Sequence, residues 1–564
     1  MEALCHQEKE QAMSLKPQPI GPIPEETARI AQAAYPKGNI YIQLRDMLGT
    51  LYKDEQFASL FPHRGQPAEA PWRLALVSVM QFMEGLSDRQ AADAVRGRLD
   101  WKYALGLELS DPGFDHTVLV EFRQRLLAGK SERLLFDLLL TRLREAGYLK
   151  ARGRQRSDST HVLAKIRALN RVEGVGEAFR AALNSLAVAA PAWLMGQMQE
   201  DWVDRYEHRV EDYRLPTGKQ AREEYAVVIG RDGACLLNAI YSTEAPAWLA
   251  EIPAVETLRR VWVQNFYWEQ GELRWRDASN VPAAGQCIDS PYDPEAHYAQ
   301  KRTTSWVGYK VHLTETCDDD SPHVITHVET TPAPVADDAA VPRLHEALAA
   351  RDLLPSVHLV DTGYVDAQEL VSSQQQYGVD LFGPTREDYH WQAREGTGFE
   401  ASQFVVDWQH ECATCPAGQH SHSWTPAQDR RGNPVIKIKF SMQDCRPCPS
   451  REQCTHSQST SPRRVLTVRP QDQYQALQAA RQRQATELFK TAYAARAGIE
   501  GTLSQGIRAF GLRQARYRGL EKVHLQHLLT ATALNLCRMY AWLTEQPRAH
   551  TRQAAFVRLV KKRA

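Results

Sequence analysis

Two aspartates in the sequence stand where a metal ion could be held. Asp158 and Asp361 each come at the end of an apolar segment with strand character. Carboxylate oxygens are the ligands that Mg²⁺ prefers, and two such ions can clamp the attacking and leaving oxygens of a phosphoryl transfer. Because most aspartates at strand ends only cap turns, the pair alone is a weak indication of phosphoryl-transfer chemistry.

A third carboxylate lies in a regular pattern near the C-terminus. Tyr493, Arg496 and Glu500 are spaced three and four residues apart, which places them on one stripe of an α-helix. On this interpretation Glu500 binds metal, Arg496 pairs with a phosphate and Tyr493 contacts a DNA backbone. The alternative is an ordinary intrahelical ion pair of little energetic importance.

Positive charge is concentrated in the same part of the chain. Lys+Arg and Asp+Glu are both 68, which excludes a uniformly basic DNA-coating protein. Residues 463–564 nevertheless carry 19 Lys and Arg against 5 Asp and Glu, a net charge of +14. This asymmetry indicates either a track for a polyanion or arginines on solvated helix faces. The candidate DNA-binding residues are Tyr493, Arg496, Arg508, Arg513, Arg516, Arg518 and Lys522.

Five of the ten cysteines form a second candidate site. Cys412 and Cys415 make one CxxC pair, Cys445 and Cys448 make another, and Cys454 follows. Paired CxxC motifs bring four thiolates to one tetrahedral Zn²⁺, so we predict a structural zinc-ribbon-like site. Cys454, His420 or His422 are possible substitute ligands; free or redox-active thiols and an iron–sulfur cluster remain alternatives.

The elements that position these residues are predicted from periodicity. A chain of 564 residues is too long for one ordinary domain, and its N-terminus carries no export signal. Ser87-Asp88-Arg89-Gln90 fits a capping box, and the surrounding short helices suit either a helix-turn-helix module or a plain bundle. The predicted layout is a loose leader (1–37), a helical DNA-binding domain (38–150), a catalytic domain (151–545) interrupted by a helical insertion (about 165–300) and a Cys-rich zinc-binding insertion (about 380–470), and a basic tail (546–564). Core strands are expected near Asp158 and at 304–316, 323–330 and 357–361, with Glu500 on a late helix.

In order along the chain, these motifs resemble those of the DDE transposases of bacterial insertion sequences. Tyr493-x2-Arg496-x3-Glu500 is similar to the tyrosine–arginine–glutamate–lysine signature of one large branch. Asp158-Ser159-Thr160 and Asp361-Thr362-Gly363-Tyr364 resemble the first and second aspartate motifs, and 57–127 resembles the N-terminal transposase domain. The signature lysine would fall at position 507, which is Ile507 here, with Arg508 adjacent.

This resemblance implies an α/β fold with a ribonuclease H-like core, a mixed sheet flanked by helices, and an all-helical N-terminal domain. It implies a transposase that cleaves the terminal inverted repeats of its own element and joins them to target DNA. Asp158, Asp361 and Glu500 would hold two Mg²⁺ or Mn²⁺ ions. A homodimer on paired double-stranded DNA ends, a location on the bacterial nucleoid and no membrane association are expected. The alternatives are an inactive DNA-binding derivative and a metal-dependent nuclease without strand transfer.

Overall fold

The computed structural model describes residues 13–167, 169–457 and 459–547. The first twelve residues of the predicted leader and residues 548–564 of the predicted basic tail lie outside the described residues. The rest of the leader is not uniformly loose, because Glu25–Ala34 forms a helix. Among the described residues, no helix combines the length and the apolar character needed to cross a bilayer.

The N-terminal region is a bundle of short helices. The predicted capping box is present at the start of α4: Ser87 Oγ accepts from Gln90 N, and Ser87 N donates to Gln90 Oε1. A two-residue parallel pair, β1 (Met13–Ser14) and β2 (Gln66–Pro67), and a 3-10 helix (Asp54–Leu60) accompany the bundle. Its helices are α1 (Glu25–Ala34), α2 (Ile40–Leu48), α3 (Pro71–Glu84), α4 (Asp88–Gly97), α5 (Leu99–Leu105), α6 (Thr117–Ala128) and α7 (Leu134–Glu145).

A helical insertion follows the first core strand, β3 (Gln155–Leu163), and has an apolar core of its own. It is largely helical as predicted, although a hairpin of β4 (Phe266–Glu269) and β5 (Glu272–Trp275) closes it. The insertion's helices are α8 (Arg171–Ala189), α9 (Pro191–Met195), α10 (Trp202–Tyr206), α11 (Lys219–Ile240) and α12 (Pro253–Asn265).

The central sheet is mixed and has six strands in the order β10-β9-β3-β7-β6, with β8 also pairing with β7. Strand β3 is antiparallel to β7 and parallel to β9. The strands expected at 304–316, 323–330 and 357–361 are present with small boundary shifts, and two further short strands were not predicted. The remaining strands are β6 (His297–Lys301), β7 (Thr304–Thr316), β8 (Ile325–Pro332), β9 (Val357–Leu359) and β10 (Asp380–Phe382).

Helices flank this sheet, and the last one joins it to the N-terminal bundle. Fourteen residues of α21 are buried, and its side chains share one continuous apolar core with the N-terminal helices and the sheet. The flanking helices are α13 (Val341–Ala349), α14 (Ala367–Tyr377), α18 (Gln471–Gln484), α19 (Glu487–Tyr493), α20 (Gly498–Phe510) and α21 (Leu520–Leu543).

The Cys-rich region forms a separate lobe around a small core that includes Phe404, Ile438 and Phe440. A hairpin and a three-stranded antiparallel sheet build it. Its strands are β11 (Val405–Asp407), β12 (Cys412–Thr414), β13 (Ser421–Gln428), β14 (Pro434–Phe440) and β15 (Val465–Val468); its short helices are α15 (Trp391–Arg394), α16 (Met442–Cys445) and α17 (Arg451–Cys454).

Candidate active site

Three different elements carry the three candidate carboxylates. Asp158 is the fourth residue of β3, so the expectation that it ends its strand is wrong. Asp361 comes two residues after β9 ends, where its Oδ1 accepts from Gly363 N at 2.7 Å and shapes the turn. Glu500 lies in the first turn of α20, and its side chain is 66% exposed.

All three carboxylates converge on one guanidinium. Arg496 Nη2 lies 2.6 Å from Asp158 Oδ2 and 4.0 Å from Asp361 Oδ2, and Arg496 Nη1 lies 2.8 Å from Glu500 Oε1. The Arg496 side chain is only 12% exposed. The structure therefore brings together the three acids that the sequence motifs selected. They surround the positive charge of Arg496, which belongs to the same motif as Glu500.

The Tyr–Arg–Glu stripe is not carried by one continuous α-helix. Tyr493 ends α19, a 3-10 helix spans Ala494–Ala497, and Glu500 belongs to α20. The predicted contact between Arg496 and Glu500 is nevertheless present. Tyr493 stacks on Phe489, with ring centroids 5.4 Å apart, and Phe489 stacks in turn on Phe382 of β10. This aromatic stack fixes the end of α19 against the edge of the sheet.

Burial and mutual repulsion control the charge of the site. Burial, together with the nearby Asp361 carboxylate, raises the pKa of Asp158 to about 6, although Arg496 and the Ser159 amide act to lower it. Burial acts to lower the pKa of Arg496, but Asp158 and the neighbouring acidic groups raise it above its usual value. Arg496 therefore stays protonated, and its positive charge partly neutralises the three carboxylates around it.

The donor set suits a hard divalent cation, since it consists of carboxylate oxygens already gathered around one positive charge. Within the described residues, no group of three or more His, Cys, Asp or Glu side chains is arranged as it stands to hold a metal ion. Arg496 lies between the acids, so metal binding at this position requires its guanidinium to shift.

A fourth acid next to the site was missed in the sequence. Asp337 Oδ1 accepts from Ser159 Oγ at 3.1 Å and from Lys310 Nζ at 3.0 Å. Burial acts to raise the pKa of Asp337, but the nearby Lys310 ammonium holds this pKa below its usual value. Asp337 lies in a loop, and the sequence around it shows no motif. It is recognised as part of the site because β3 and β7 pair and so place Ser159 and Lys310 beside it.

The predicted basic residues fall into two groups. Arg508, Arg518 and Lys522 are exposed. Arg513 Nε donates to Thr160 Oγ1 at 2.8 Å, on the same face of β3 as Asp158. Arg516 instead donates to Leu86 O and lies over the Phe82 ring, so it holds the N-terminal bundle.

Ile507, at the position of the signature lysine, is partly buried against the main apolar core. It therefore cannot make the phosphate contact of a lysine.

Four of the five clustered cysteines line one cavity, namely Cys415, Cys445, Cys448 and Cys454. Cys412 is not among the lining residues, whereas Cys454, named in the sequence as a substitute ligand, is. The backbone amide of Gln419 donates to Cys415 Sγ at 3.4 Å, in the turn that follows Cys415. Burial raises the pKa of the Cys454 thiol to about 11, with Arg464 acting to lower it and the three other cysteines to raise it further.

Two protein-family models match the chain. A transposase domain (DUF772) matches residues 29–125, and a transposase DDE domain matches residues 414–540. No curated protein matches the sequence. The second match includes Arg496, Glu500 and most of the Cys-rich lobe, while Asp158 and Asp361 lie outside both. The two matches confirm the resemblance that the ordered motifs indicated.

Proposed function

We propose that this chain, parts of which match a transposase domain and a transposase DDE domain, cleaves the terminal inverted repeats of its own insertion sequence and joins the freed ends to target DNA. The reaction is a metal-dependent phosphoryl transfer in which hydrolysis and strand transfer use the same site. It takes place on the bacterial nucleoid in the cytoplasm, with two copies of the chain on paired DNA ends.

One observation carries this proposal: Asp158, Asp361 and Glu500, far apart in sequence, meet at Arg496. Carboxylates brought together from distant segments are the ligands that a two-metal phosphoryl-transfer site needs once Arg496 has moved from between them. An inactive DNA-binding derivative would need no such convergence.

Asp158, Asp361 and Glu500 would hold Mg²⁺ or Mn²⁺. Divalent ions held there would supply activation of the attacking water or 3′-hydroxyl and stabilisation of the leaving oxygen. The chain's own residues orient the DNA. Once its guanidinium leaves the carboxylates, Arg496 is placed to pair with a phosphate next to the scissile bond, and arginine suits such bidentate contacts. Tyr493, half-buried beside it, presents its hydroxyl to the same backbone.

The DNA path beyond the site follows exposed positive charge. Arg508, Arg518 and Lys522 are exposed near the end of α20 and the start of α21, and Arg513 lies closer to the acids. Such residues neutralise phosphates and position the duplex without reading its sequence. We assign Arg516 to packing between domains.

The Cys-rich lobe would hold one structural Zn²⁺. Thiolates are the preferred ligands of structural zinc, and a site closed by four of them has no open position for catalysis. We propose Cys415, Cys445, Cys448 and Cys454 as the ligands, because these four line one cavity.

The test is cleavage of labelled terminal-repeat DNA with Mn²⁺, comparing the wild type with Glu500→Gln. The variant keeps the shape of Glu500 but removes a ligand charge. We expect the wild type to cut at the element end, and the variant to bind with similar affinity while cutting at least about 100-fold more slowly. Glu487→Gln, an exposed acid on α19 outside the site, is the matched control and should cut normally.

Two outcomes would contradict the proposal. If the wild type binds the repeat but cuts under no metal or end-pairing condition, the chain is a DNA-binding derivative. If it cuts but never joins a donor end to a target duplex, it is a nuclease without strand transfer.

A further inference from the structure

A cluster of buried charges lies next to the candidate active site, two residues before Asp158 along β3. The Glu315 side chain on β7 is fully buried, and two arginines contact it. Arg156 Nη2 lies 2.6 Å from Glu315 Oε1, and Arg538 Nη1 lies 2.6 Å from Glu315 Oε2. Thr502 Oγ1 of α20 also donates to Glu315 Oε2, at 2.6 Å. One carboxylate therefore joins two strands and two helices.

Stability alone is a poor explanation for such a cluster. Burying charges has a desolvation cost that their attraction often fails to exceed, and apolar replacements are frequently neutral or stabilising. Two guanidinium groups on one carboxylate also leave an excess positive charge. Part of that excess is directed at the backbone, because Arg156 Nη1 donates to the carbonyl of Ala495.

The position of this contact connects the cluster to the acids. Arg156 and Asp158 are two residues apart on β3, so their side chains lie on the same face of the sheet. Arg156 binds Ala495 and Asp158 binds Arg496, which are consecutive residues of the 3-10 helix. Two side chains that are neighbours on one face of β3 thus bind two consecutive residues of the segment that leads into α20.

Gly498, the first residue of α20, shows how closely this segment approaches the strand. A Cβ at this position would overlap the guanidinium of Arg156. Glu500 follows two residues later, and Thr502 anchors the same helix to Glu315. The distance between Glu500 and Asp158 is therefore set by the buried cluster as well as by Arg496.

We propose that Arg156, oriented by Glu315, is a positioning residue that sets where α20 places Glu500 relative to Asp158. Arg156 contacts no substrate in this role, and it acts through the 3-10 helix. The inference rests on the proposed function for its catalytic consequence, but the docking of α20 is a property of the protein alone.

The experiment replaces Arg156 with lysine, which keeps the charge beside Glu315 and cannot reach both Glu315 and Ala495 with a planar fork. We expect cleavage of terminal-repeat DNA to fall about 10- to 100-fold and the Mn²⁺ concentration for half-maximal cleavage to rise at least about 10-fold, since a displaced Glu500 binds metal poorly. DNA affinity should change less than about threefold. Amide hydrogen exchange of residues 494–505 should accelerate.

Arg123→Lys is the matched control. Arg123 is 7% exposed, against 6% for Arg156, and it binds the Asp88 carboxylate at 2.7 Å in the N-terminal bundle. A loss common to any buried arginine would appear in both variants, whereas a positioning role predicts an altered metal requirement only for Arg156→Lys. If Arg156→Lys does not fold, Thr502→Val tests the same docking without a change of charge, and we expect smaller shifts in the same direction.

Unchanged metal requirement and unchanged exchange of 494–505 in a folded variant would overturn the positioning role. A wild type that cuts no DNA, combined with faster exchange in Arg156→Lys, would instead contradict the proposed function and leave the docking role intact.

Discussion

At the scale of single residues, the candidate site is a compromise between charge and burial. Asp158 is 13% exposed, and Arg496 is the nearest positive group to it. A carboxylate that must ionise in such a place destabilises the folded chain until a stronger cation binds. Asp158 is therefore expected to oppose folding stability in the metal-free protein.

This compromise predicts a dependence on pH. The pKa of Asp158 is about 6 in the folded chain, above the usual value for aspartate, mainly because of burial. The folded state therefore holds its proton more tightly, and this contribution to stability is lost as pH rises through about 6. We expect Asp158→Asn to raise the free energy of unfolding in EDTA by about 1–3 kcal/mol at pH 7–8.

The gain should shrink as pH falls below 6 and vanish at about pH 3, where Asp158 is protonated in both the folded and the unfolded state. Thermal unfolding midpoints at several pH values measure it. Asp93→Asn is the control, because Asp93 is exposed on α4 and pairs with Arg96. A gain of equal size at pH 4 and pH 8 would contradict burial as its cause.

At the scale of elements, the Cys-rich lobe shows how strand alternation selects among similar residues. Ala413 of β12 is buried in the lobe's core, so Cys412 beside it points to the opposite face. Cys415 lies beyond the strand, in a turn that Gly418 closes with a positive φ of 80°. Strand geometry thus separates the two members of the first CxxC pair.

The matched pair Cys448→Ser and Cys412→Ser tests this assignment. We expect the wild type to purify with one zinc per chain, Cys448→Ser to lose most of it, and Cys412→Ser to retain it, because only Cys448 lines the cavity. Elemental analysis of dialysed protein measures the metal. If Cys412→Ser loses zinc and a Cys454→Ser variant retains it, the ligands are the two CxxC pairs. Iron in the wild-type protein would indicate an iron–sulfur cluster instead of zinc.

At the scale of the whole molecule, helix α21 packs against both the N-terminal bundle and the central sheet, which the sequence motifs assign to different domains. Asn535 is completely buried, and its side chain makes both backbone hydrogen bonds of Ile325 at the start of β8. The N-terminal helices pack on other parts of the same helix within one apolar core. The N-terminal bundle and the central sheet should consequently unfold together.

Asn535→Ala tests this coupling. It leaves a buried amide and a buried carbonyl of Ile325 unpaired, which costs about 2–5 kcal/mol. We expect the main unfolding transition to move to lower temperature. Hydrogen exchange should accelerate in both regions, measured at 71–84 in the N-terminal bundle and at 304–316 in the central sheet. Asn184→Ala is the control, because Asn184 is an exposed helix residue whose side chain donates to Arg180 O. Faster exchange in 304–316 alone would show that the two regions unfold independently.

Local sequence was enough to predict the elements that depend on near neighbours. The capping box at Ser87, the helical character of the insertion, the long strand at 304–316 and the position of Glu500 on a late helix all follow from short-range patterns. The short strands β6 and β10 were missed because they exist only through their pairing partners.

Residue type and spacing marked the acids, Arg496 and the cysteines as candidates, and the resemblance to the DDE transposases selected Asp158, Asp361 and Glu500 as a set. Only the tertiary structure decided which groups meet. It placed Arg496 among three acids, lined the cavity with Cys454 and not with Cys412, partly buried Ile507, and set Glu315 between Arg156 and Arg538. These outcomes depend on strand register and helix docking between distant segments, which no local pattern encodes.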